Sequence, residues 1–275
     1  AHELDEAQRL FVSVPIFAVS DSAFHADKPD YAWNYAIDLP IADTHEIKRF
    51  GYHGITVESV VQILAANEMQ FGNVIICQLG STSSVTAVQS GKSLETTTGY
   101  SLFEGIPSEQ GVGDIPFAAV HAYKQAKQAT DGQTLQLLQE SSGLAGISGT
   151  SGDMRYILKA AVDGNYRAQL ALDMYVHTTK MAIGQMAAVL GGADAIVFTG
   201  TIGVRSAVLR ARIIDGLEYL GFAVQPSLND TVYEPQVPTR ISPRTRLKPV
   251  LAVNADETYE IAWRTNQALK ANENK

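Results

Sequence analysis

Three stretches of glycine and hydroxyl residues have the composition of loops that bind phosphate. They are GSTSS at 80–84, GISGTSGDMR at 146–155 and FTGTIGVRSA at 198–207, and each adjoins an apolar run or a helical pattern. Small side chains leave backbone N–H groups open, and N–H groups at the start of a helix attract anions. A tight turn that needs glycine for its dihedral angles explains any one stretch about as well. Three such stretches in one chain favour a cleft for a phosphate-rich ligand such as a nucleotide.

Other motifs of this kind are absent from the sequence. GKS at 91–93 lacks the glycine that a P-loop requires five positions earlier, because residue 86 is threonine. No G-x-G-x-x-G follows a predicted strand, which argues against a dinucleotide fold. The six histidines include no H-E-x-x-H, and the single cysteine, Cys77, cannot build a thiolate metal site or an intrachain disulfide.

The amino-acid composition and net charge indicate the general class of protein. The chain has 275 residues, 45% of them hydrophobic, which is enough for one large or two smaller domains. A net charge of -8 without long runs of like charge argues against sequence-independent nucleic-acid binding. No apolar stretch reaches membrane-spanning length, and the first ten residues lack the layout of a signal peptide. Together with the lone cysteine, this predicts a soluble, cytoplasmic protein with no membrane or nucleic-acid partner.

Hydrophobic periodicity predicts the elements that must position these loops. The predicted strands are 14–19, 74–79, 85–88, a short one after residue 91, 195–199 and 250–253. The predicted helices are 56–66, 117–127, 134–140, 152–162, 166–190, 206–220 and 257–269, with a turn at 200–205. Strands followed by helices with inserted strands indicate an α/β fold with a mixed sheet.

The order of several motifs identifies a family resemblance. The segments are SDSAFH at 20–25, RFGYHG at 49–54, IICQLGSTSSVTAV at 75–88, GKSLETTTGYSLFEG at 91–105, GDI at 113–115, GISGTSGDMR at 146–155, ALDMYVHTTKMAIGQMAAVLGGADAIVFTGTIG at 171–203 and RARIIDGLEYLG at 210–221. From about Ala18 to Arg264 the chain resembles acetate kinase and its propionate- and butyrate-kinase relatives, in the actin-like ATPase superfamily.

The resemblance implies a fold and an activity. The expected fold is an actin-like ATPase (ribonuclease H-like) α/β domain with a mixed sheet and flanking helices. The implied reaction moves the γ-phosphoryl of ATP, with Mg²⁺, to a small carboxylate such as acetate or propionate, giving an acyl phosphate. The expected division is a remnant strand of an N-terminal domain in 1–22, a C-terminal domain in 23–256, and a helix in 257–275 that would pack on the missing N-terminal domain.

The resemblance also assigns roles to residues. Asp21 is the implied active-site carboxylate, His53 the imidazole that contacts the transferring phosphoryl group, and Glu257 the carboxylate near Mg²⁺. The implied ATP-binding residues are Gln78, Leu79, Gly80, Ser81, Thr82, Asp153, Met154, Arg155, Thr201, Ile202, Gly203, Val204 and Arg205. From the residues alone, Asp21 could equally cap a turn, and His53 could equally cap the next helix.

This sequence departs from the family pattern at important positions. The family's His-Leu-Gly-Asn-Gly loop reads Gln78-Leu79-Gly80-Ser81-Thr82, and Gly111 stands where the family has a catalytic arginine. At the adenosine turn, Thr201, Val204 and Arg205 replace glycine, glutamate and asparagine.

The family's first third, which carries a second arginine, has no counterpart in this sequence. We therefore expect the chain by itself to be inactive, with a separate N-terminal chain as a candidate partner. The alternative function is an impaired nucleotide-binding or interaction subunit.

The helix predicted at 166–190 carries apolar residues around most of its circumference, which predicts burial on most sides. Two explanations remain open: a homodimer interface, as the resemblance implies, and burial within the monomer core.

Overall fold

A mixed six-stranded sheet forms the centre of the computed structural model, which describes residues 2–245 and 247–273. The strand order is β3-β2-β1-β4-β6-β5. The strands are β1 (Asn73–Leu79), β2 (Ser83–Gln89), β3 (Lys92–Thr96), β4 (Ala195–Thr199), β5 (Thr239–Arg240) and β6 (Val250–Ala252).

Helices surround this sheet. They are α1 (His2–Leu10), α2 (Asp30–Trp33), α3 (Leu39–Thr44), α4 (Gly54–Ala66), α5 (Phe117–Lys127), α6 (Asp131–Glu140), α7 (Gly143–Ser148), α8 (Met154–Val162), α9 (Tyr166–Val189), α10 (Gly200–Arg205), α11 (Ala207–Ile214), α12 (Pro226–Asn229) and α13 (Glu257–Glu273). Short 3₁₀ helices span Ala23–His25 and Glu218–Leu220. None of the described helices is long and apolar enough to span a bilayer.

The sheet is parallel at its centre and antiparallel toward β3. β1 pairs in parallel with β4, and β4 pairs in parallel with β6, whereas β1, β2 and β3 form an antiparallel meander. Gln78 of β1 lies beside Thr199 of β4 in the register. The loops that follow these two strands therefore leave the sheet at the same edge.

Two helical layers bury the sheet on both faces. Alternate β1 residues, Ile75 and Cys77 among them, join a core with Tyr175 and Ile183 of α9. The intervening Val74 and Ile76 join a second core with α4. Burial on both faces explains why β1 is a continuous apolar run rather than an alternating one. The predicted α/β class, with a mixed sheet and flanking helices, is confirmed.

The strand predicted at Val14–Val19 is wrong. This segment has no regular secondary structure, and none of the described strands pairs with its backbone, so it lacks the partner that a strand requires. The preceding helix α1 was not predicted. The division of the chain near residues 22 and 256 stays a prediction, and residues 1, 274 and 275 of the terminal segments lie outside the described residues.

Two further boundaries differ from prediction. The turn predicted at 200–205 is the short helix α10. The single helix predicted at 206–220 is two elements, α11 and the 3₁₀ turn Glu218–Leu220, separated at Gly216, which adopts φ +81°. A left-handed glycine ends one helix before the next begins.

Candidate functional site

A cavity of about 390 Å³ lies where β1 and β4 end. The three glycine-rich stretches meet there, since Gly80 follows β1, Gly152 precedes α8 and Thr201 lies in α10. The lining residues are Gly80, Ser81, Glu109, Leu144, Gly152, Asp153, Met154, Arg155, Leu158, Thr201, Ile202, Arg205, Ser206 and Tyr233. The lining thus combines four apolar side chains, Leu144, Met154, Leu158 and Ile202, which we call the apolar floor, with polar and charged ones.

Most residues predicted to bind ATP line this one cavity. They are Gly80, Ser81, Asp153, Met154, Arg155, Thr201, Ile202 and Arg205. The other five do not line it: Leu79, Gly203 and Val204 are buried, and Gln78 and Thr82 are partly buried. Their contribution is to place the loop and α10 rather than to line the cavity. That the lining residues bind ATP stays a prediction.

Two buried polar atoms beside the cavity have no hydrogen-bond partner among the described residues. They are Gln78 Oε1 and Thr199 Oγ1, which belong to neighbouring residues of the register. The amide nitrogen of Gln78, Nε2, lies 3.6 Å from where a Cβ on Gly80 would stand, so the Gln78 side chain is close to the loop that was predicted to bind phosphate. Buried polar groups without partners are rare in folded proteins. The Thr199 hydroxyl can donate to a phosphate oxygen at this end, whereas Gln78 Oε1 can only accept a hydrogen bond from a donor.

The opposite rim is held by Asp153 and Arg155. Asp153 caps α8, with its Oδ1 accepting from Arg155 N at 2.9 Å. The Arg155 guanidinium returns to the same carboxylate, with Nε 3.0 Å from Oδ1 and Nη2 2.5 Å from Oδ2. This contact lowers the pKa of Asp153. A capped helix start and a fixed guanidinium thus face the cavity.

Asp21 fastens the start of α4. Its Oδ2 accepts from His53 N at 2.7 Å, its Oδ1 accepts from Ile55 N at 3.3 Å, and its backbone oxygen accepts from Gly54 N at 2.8 Å. A Cβ on Gly54 would stand 2.3 Å from that oxygen, so the close approach requires glycine. Asp21 was considered as a cap of the turn that follows it, but its carboxylate instead accepts from the backbone at the start of α4. This contact lies at the helix rather than at the end of a strand, and it leaves the implied catalytic role a prediction.

His53 lies between two hydroxyl groups. Its Nδ1 is 2.9 Å from Ser84 Oγ, and its Nε2 is 2.9 Å from Thr82 Oγ1. Burial lowers the pKa of His53, while the Asp21 and Glu257 carboxylates act in the opposite direction. Asp21, His53 and Glu257 therefore share one electrostatic environment, and Thr82 joins it to the glycine loop after β1.

Glu257 begins α13, and its Oε1 accepts a hydrogen bond from Thr56 Oγ1 of α4. Within the described residues no group of three or more histidine, cysteine or carboxylate side chains could hold a metal. Mg²⁺ in phosphoryl-transfer enzymes needs only one or two protein carboxylates, because phosphate oxygens and water complete its shell. Glu257 with Asp21 fits that sparse donor set.

Gly111 is packed too closely to be replaced by a side chain. A Cβ there would stand 2.3 Å from Phe103 Cδ1 and 2.6 Å from Ser108 Oγ. Gly111 also exchanges hydrogen bonds with Ser108, its N donating to Ser108 Oγ at 2.8 Å and its O accepting from Ser108 N at 2.9 Å. The neighbouring atoms therefore leave no room for a side chain at residue 111.

Arg210 supports the cavity from within the core. It is fully buried and donates to Gly203 O, Asn229 O, Asn229 Oδ1 and Val232 O at 2.8–2.9 Å. These bonds tie α10 to the segment that carries Tyr233. Sequence reasoning missed both Arg210 and Tyr233 as site residues, because neither belongs to a glycine-rich stretch.

Comparisons with known proteins identify what this chain is similar to. The family model described as "Acetokinase family" matches residues 1–263. The acetate kinase of Heliobacterium modesticaldum is 37% identical over 270 residues, and that of Desulfitobacterium hafniense is 39% identical over 221 residues. Among solved structures, the Porphyromonas gingivalis acetate kinase has a TM-score of 0.90 at 27% identity, and a Francisella tularensis propionate kinase has 0.88 at 30%.

Each match covers most of this chain but a smaller share of the relative. The matched region includes 97% of this chain and 67% of the Heliobacterium protein, and 79% of this chain and 55% of the Desulfitobacterium protein. For the two structures it includes 97% and 95% of this chain, against 67% and 66% of theirs. The chain thus spans between about half and two thirds of the relatives it matches.

Proposed function

Because this chain belongs to the acetokinase family, we propose that it binds ATP with Mg²⁺ and serves phosphoryl transfer to a small carboxylate, acetate or propionate. The observation that supports this is the single cavity formed by three glycine-rich stretches, with the cluster of Asp21, His53 and Glu257 joined to it through Thr82. The acceptor carboxylate would take the γ-phosphoryl group and leave as an acyl phosphate.

Each wall of the cavity has a proposed task. Gly80 and Ser81 bind phosphate oxygens, residues 153–155 and 201–205 bind the adenosine half, and the free Thr199 hydroxyl donates to the polyphosphate. Asp21 and Glu257 hold Mg²⁺, which when bound neutralises charge on the phosphates. His53 is neutral at pH 7 because burial lowers its pKa, so it donates or accepts a hydrogen bond without adding a charge.

We propose further that the 275-residue chain by itself has no acetate kinase turnover above background. Loss of an arginine that stabilises the transferring phosphoryl group costs about 10³-fold or more in rate. The family resemblance implies that Gly111 stands at that position, and a Cβ there would overlap with Phe103 and Ser108. A nucleotide-binding subunit is therefore the second candidate function, favoured by the intact cavity beside an altered reaction centre.

Two measurements separate these functions. Calorimetric titration with Mg-ATP tests binding, and hydroxamate formation from ATP, Mg²⁺, acetate and hydroxylamine tests turnover. Binding without hydroxamate is the expected result and supports the nucleotide-binding subunit. Robust hydroxamate by the purified chain would contradict the proposed inactivity, and the absence of any ATP binding would contradict the proposed ligand.

Two apolar faces define the proposed partners. On one side of α9, Leu172 and Ile183 are buried in the core. On another side, which we call the free side, Met174, Met181 and Val189 are partly exposed, and a second copy of the chain could pack against them. We propose a homodimer through that free side.

α13 buries Glu260 and leaves Ile261 and Trp263 exposed. We propose that this second apolar face is covered by the part of the family's fold outside the matched region, on the same polypeptide or a separate chain. The cytoplasmic location stays a prediction.

A further inference from the structure

Tyr233 is an aromatic side chain at the rim of the cavity. It lines the same space as Leu144, Met154 and Ile202, and 64% of its surface is exposed. The cavity therefore combines an exposed aromatic ring with apolar side chains. Planar aromatic ligands bind by stacking on such a ring.

The ring is held in place by Arg205 and Glu234. Arg205 Nε donates to Glu234 Oε1 at 2.9 Å, and the Arg205 guanidinium carbon lies 5.9 Å from the centroid of the Tyr233 ring. Glu234 N donates to Val204 O at 3.3 Å, with Glu234 in the left-handed region at φ +44°. The clasp formed by Arg205, Tyr233 and Glu234 therefore fastens this segment to α10.

The same segment is anchored from the inside. Arg210 Nη2 donates to Val232 O at 2.9 Å, one residue before Tyr233. Arg210 is fully buried, so this bond is shielded from water. The hydrogen bond to Val232 O restricts the backbone next to Tyr233, and the contact with Arg205 restricts the ring. A side chain that is already ordered loses less conformational entropy when a ligand binds.

We propose that Tyr233 stacks on the nucleobase and is a specificity-determining residue that favours purine over pyrimidine nucleotides. This rests on the proposed nucleotide function of the cavity. The purine lies between the Tyr233 ring and the apolar floor, with Arg205 at its edge. Purines are favoured because their larger π-face covers more of the ring and the floor.

Stacking on an aromatic side chain changes affinity about fivefold to a hundredfold when the ring is removed. We expect Tyr233→Ala to raise the Kd for ATP within that range and Tyr233→Phe to retain the wild-type value. The Kd for inorganic tripolyphosphate, which has no base, is expected to stay within about twofold. The ratio of the Kd for CTP to that for ATP is expected to fall toward one in Tyr233→Ala.

Tyr219→Ala is the matched control, because Tyr219 is 76% exposed and does not line the cavity. Unchanged ATP affinity in Tyr233→Ala, or an equal loss for ATP and tripolyphosphate, would overturn the stacking role while leaving nucleotide binding intact. Failure of the wild-type chain to bind either ATP or tripolyphosphate would instead overturn the proposed function, and the stacking role with it.

Discussion

The Nε2 atom of His53 lies 2.9 Å from the Oγ1 atom of Thr82. The family resemblance places Thr82 where the family loop has a glycine, and its hydroxyl is hydrogen-bonded to this ring nitrogen. The second ring nitrogen already contacts Ser84. The proposed contact of His53 with the transferring phosphoryl group would therefore have to displace one of these two hydroxyls.

We expect Thr82→Gly to tighten Mg-ATP binding about fivefold, because a net hydrogen bond of about 1 kcal/mol no longer has to be broken. Thr82→Ser, which keeps the hydroxyl, is expected to match the wild type. Isothermal titration calorimetry measures both. Weaker binding in Thr82→Gly than in Thr82→Ser would show that the threonine hydroxyl assists the ligand rather than competing with it.

Restoring an arginine at residue 111 should damage the fold before it can help the reaction. Gly111→Arg places a Cβ against Phe103 and Ser108, and overpacking of this kind costs about 1–3 kcal/mol. We expect a lower urea midpoint and no hydroxamate. Gln110→Arg adds the same side chain at an exposed neighbour and is expected to leave the midpoint unchanged. A stable, active Gly111→Arg protein would refute the packing argument.

Stability should decrease as the pH falls from about 6.5 to 4 because of His25. This side chain is fully buried, with Nδ1 2.8 Å from Ser93 Oγ and Nε2 3.0 Å from Tyr52 O. Burial lowers its pKa to about 4. The unfolded chain binds the proton near pH 6.5 and the folded chain does not, so the free energy of unfolding loses on the order of 3 kcal/mol across this window.

Urea unfolding at several pH values tests the role of His25. His25→Gln is expected to be less stable than the wild type at pH 7 but to show a shallower decrease toward pH 4, since glutamine does not titrate. Parallel pH profiles for the two proteins would assign the acid sensitivity to other groups, such as the carboxylates.

A charge on the free side of α9 should prevent dimerisation. Met181 is 52% exposed and lies on the same stripe as Met174 and Val189. We expect a dimer of the wild type at micromolar concentration and at least a tenfold higher dissociation constant for Met181→Glu, because a buried unpaired carboxylate is costly. Tyr219→Glu, outside the stripe, is the control. Sedimentation velocity that finds a wild-type monomer would exclude this interface.

The sequence predicted the elements whose stability depends on local pattern. β4 was predicted at its observed bounds, and α9 was predicted to within a residue, because long apolar runs with glycine stops leave few alternatives. The segment at 14–19 failed because an apolar stretch becomes a strand only if a neighbour pairs with it. Such pairing depends on contacts distant in sequence.

The residues of the candidate site likewise fall into two groups, those that the sequence predicted and those that it did not. Composition predicted the three glycine-rich stretches and the family resemblance assigned Gly80, Asp153 and Thr201 within them; these residues line the cavity as a group. Tyr233 was not predictable, since its position depends on Arg205, which is 28 residues earlier. The Thr82–His53 hydrogen bond was equally hidden, although the substitution that creates it was visible in the sequence.

Arg210 also determines how the cavity wall responds to thermal fluctuation. Its guanidinium donates to a carbonyl of α10 and to carbonyls of the 229–232 segment. If either segment moved away, the buried guanidinium would lose hydrogen-bond partners, which is costly. The wall carrying Tyr233 is therefore coupled to the core as one cooperative unit rather than fraying as a surface loop. Amide hydrogens in this irregular segment should exchange as slowly as those of the central strands.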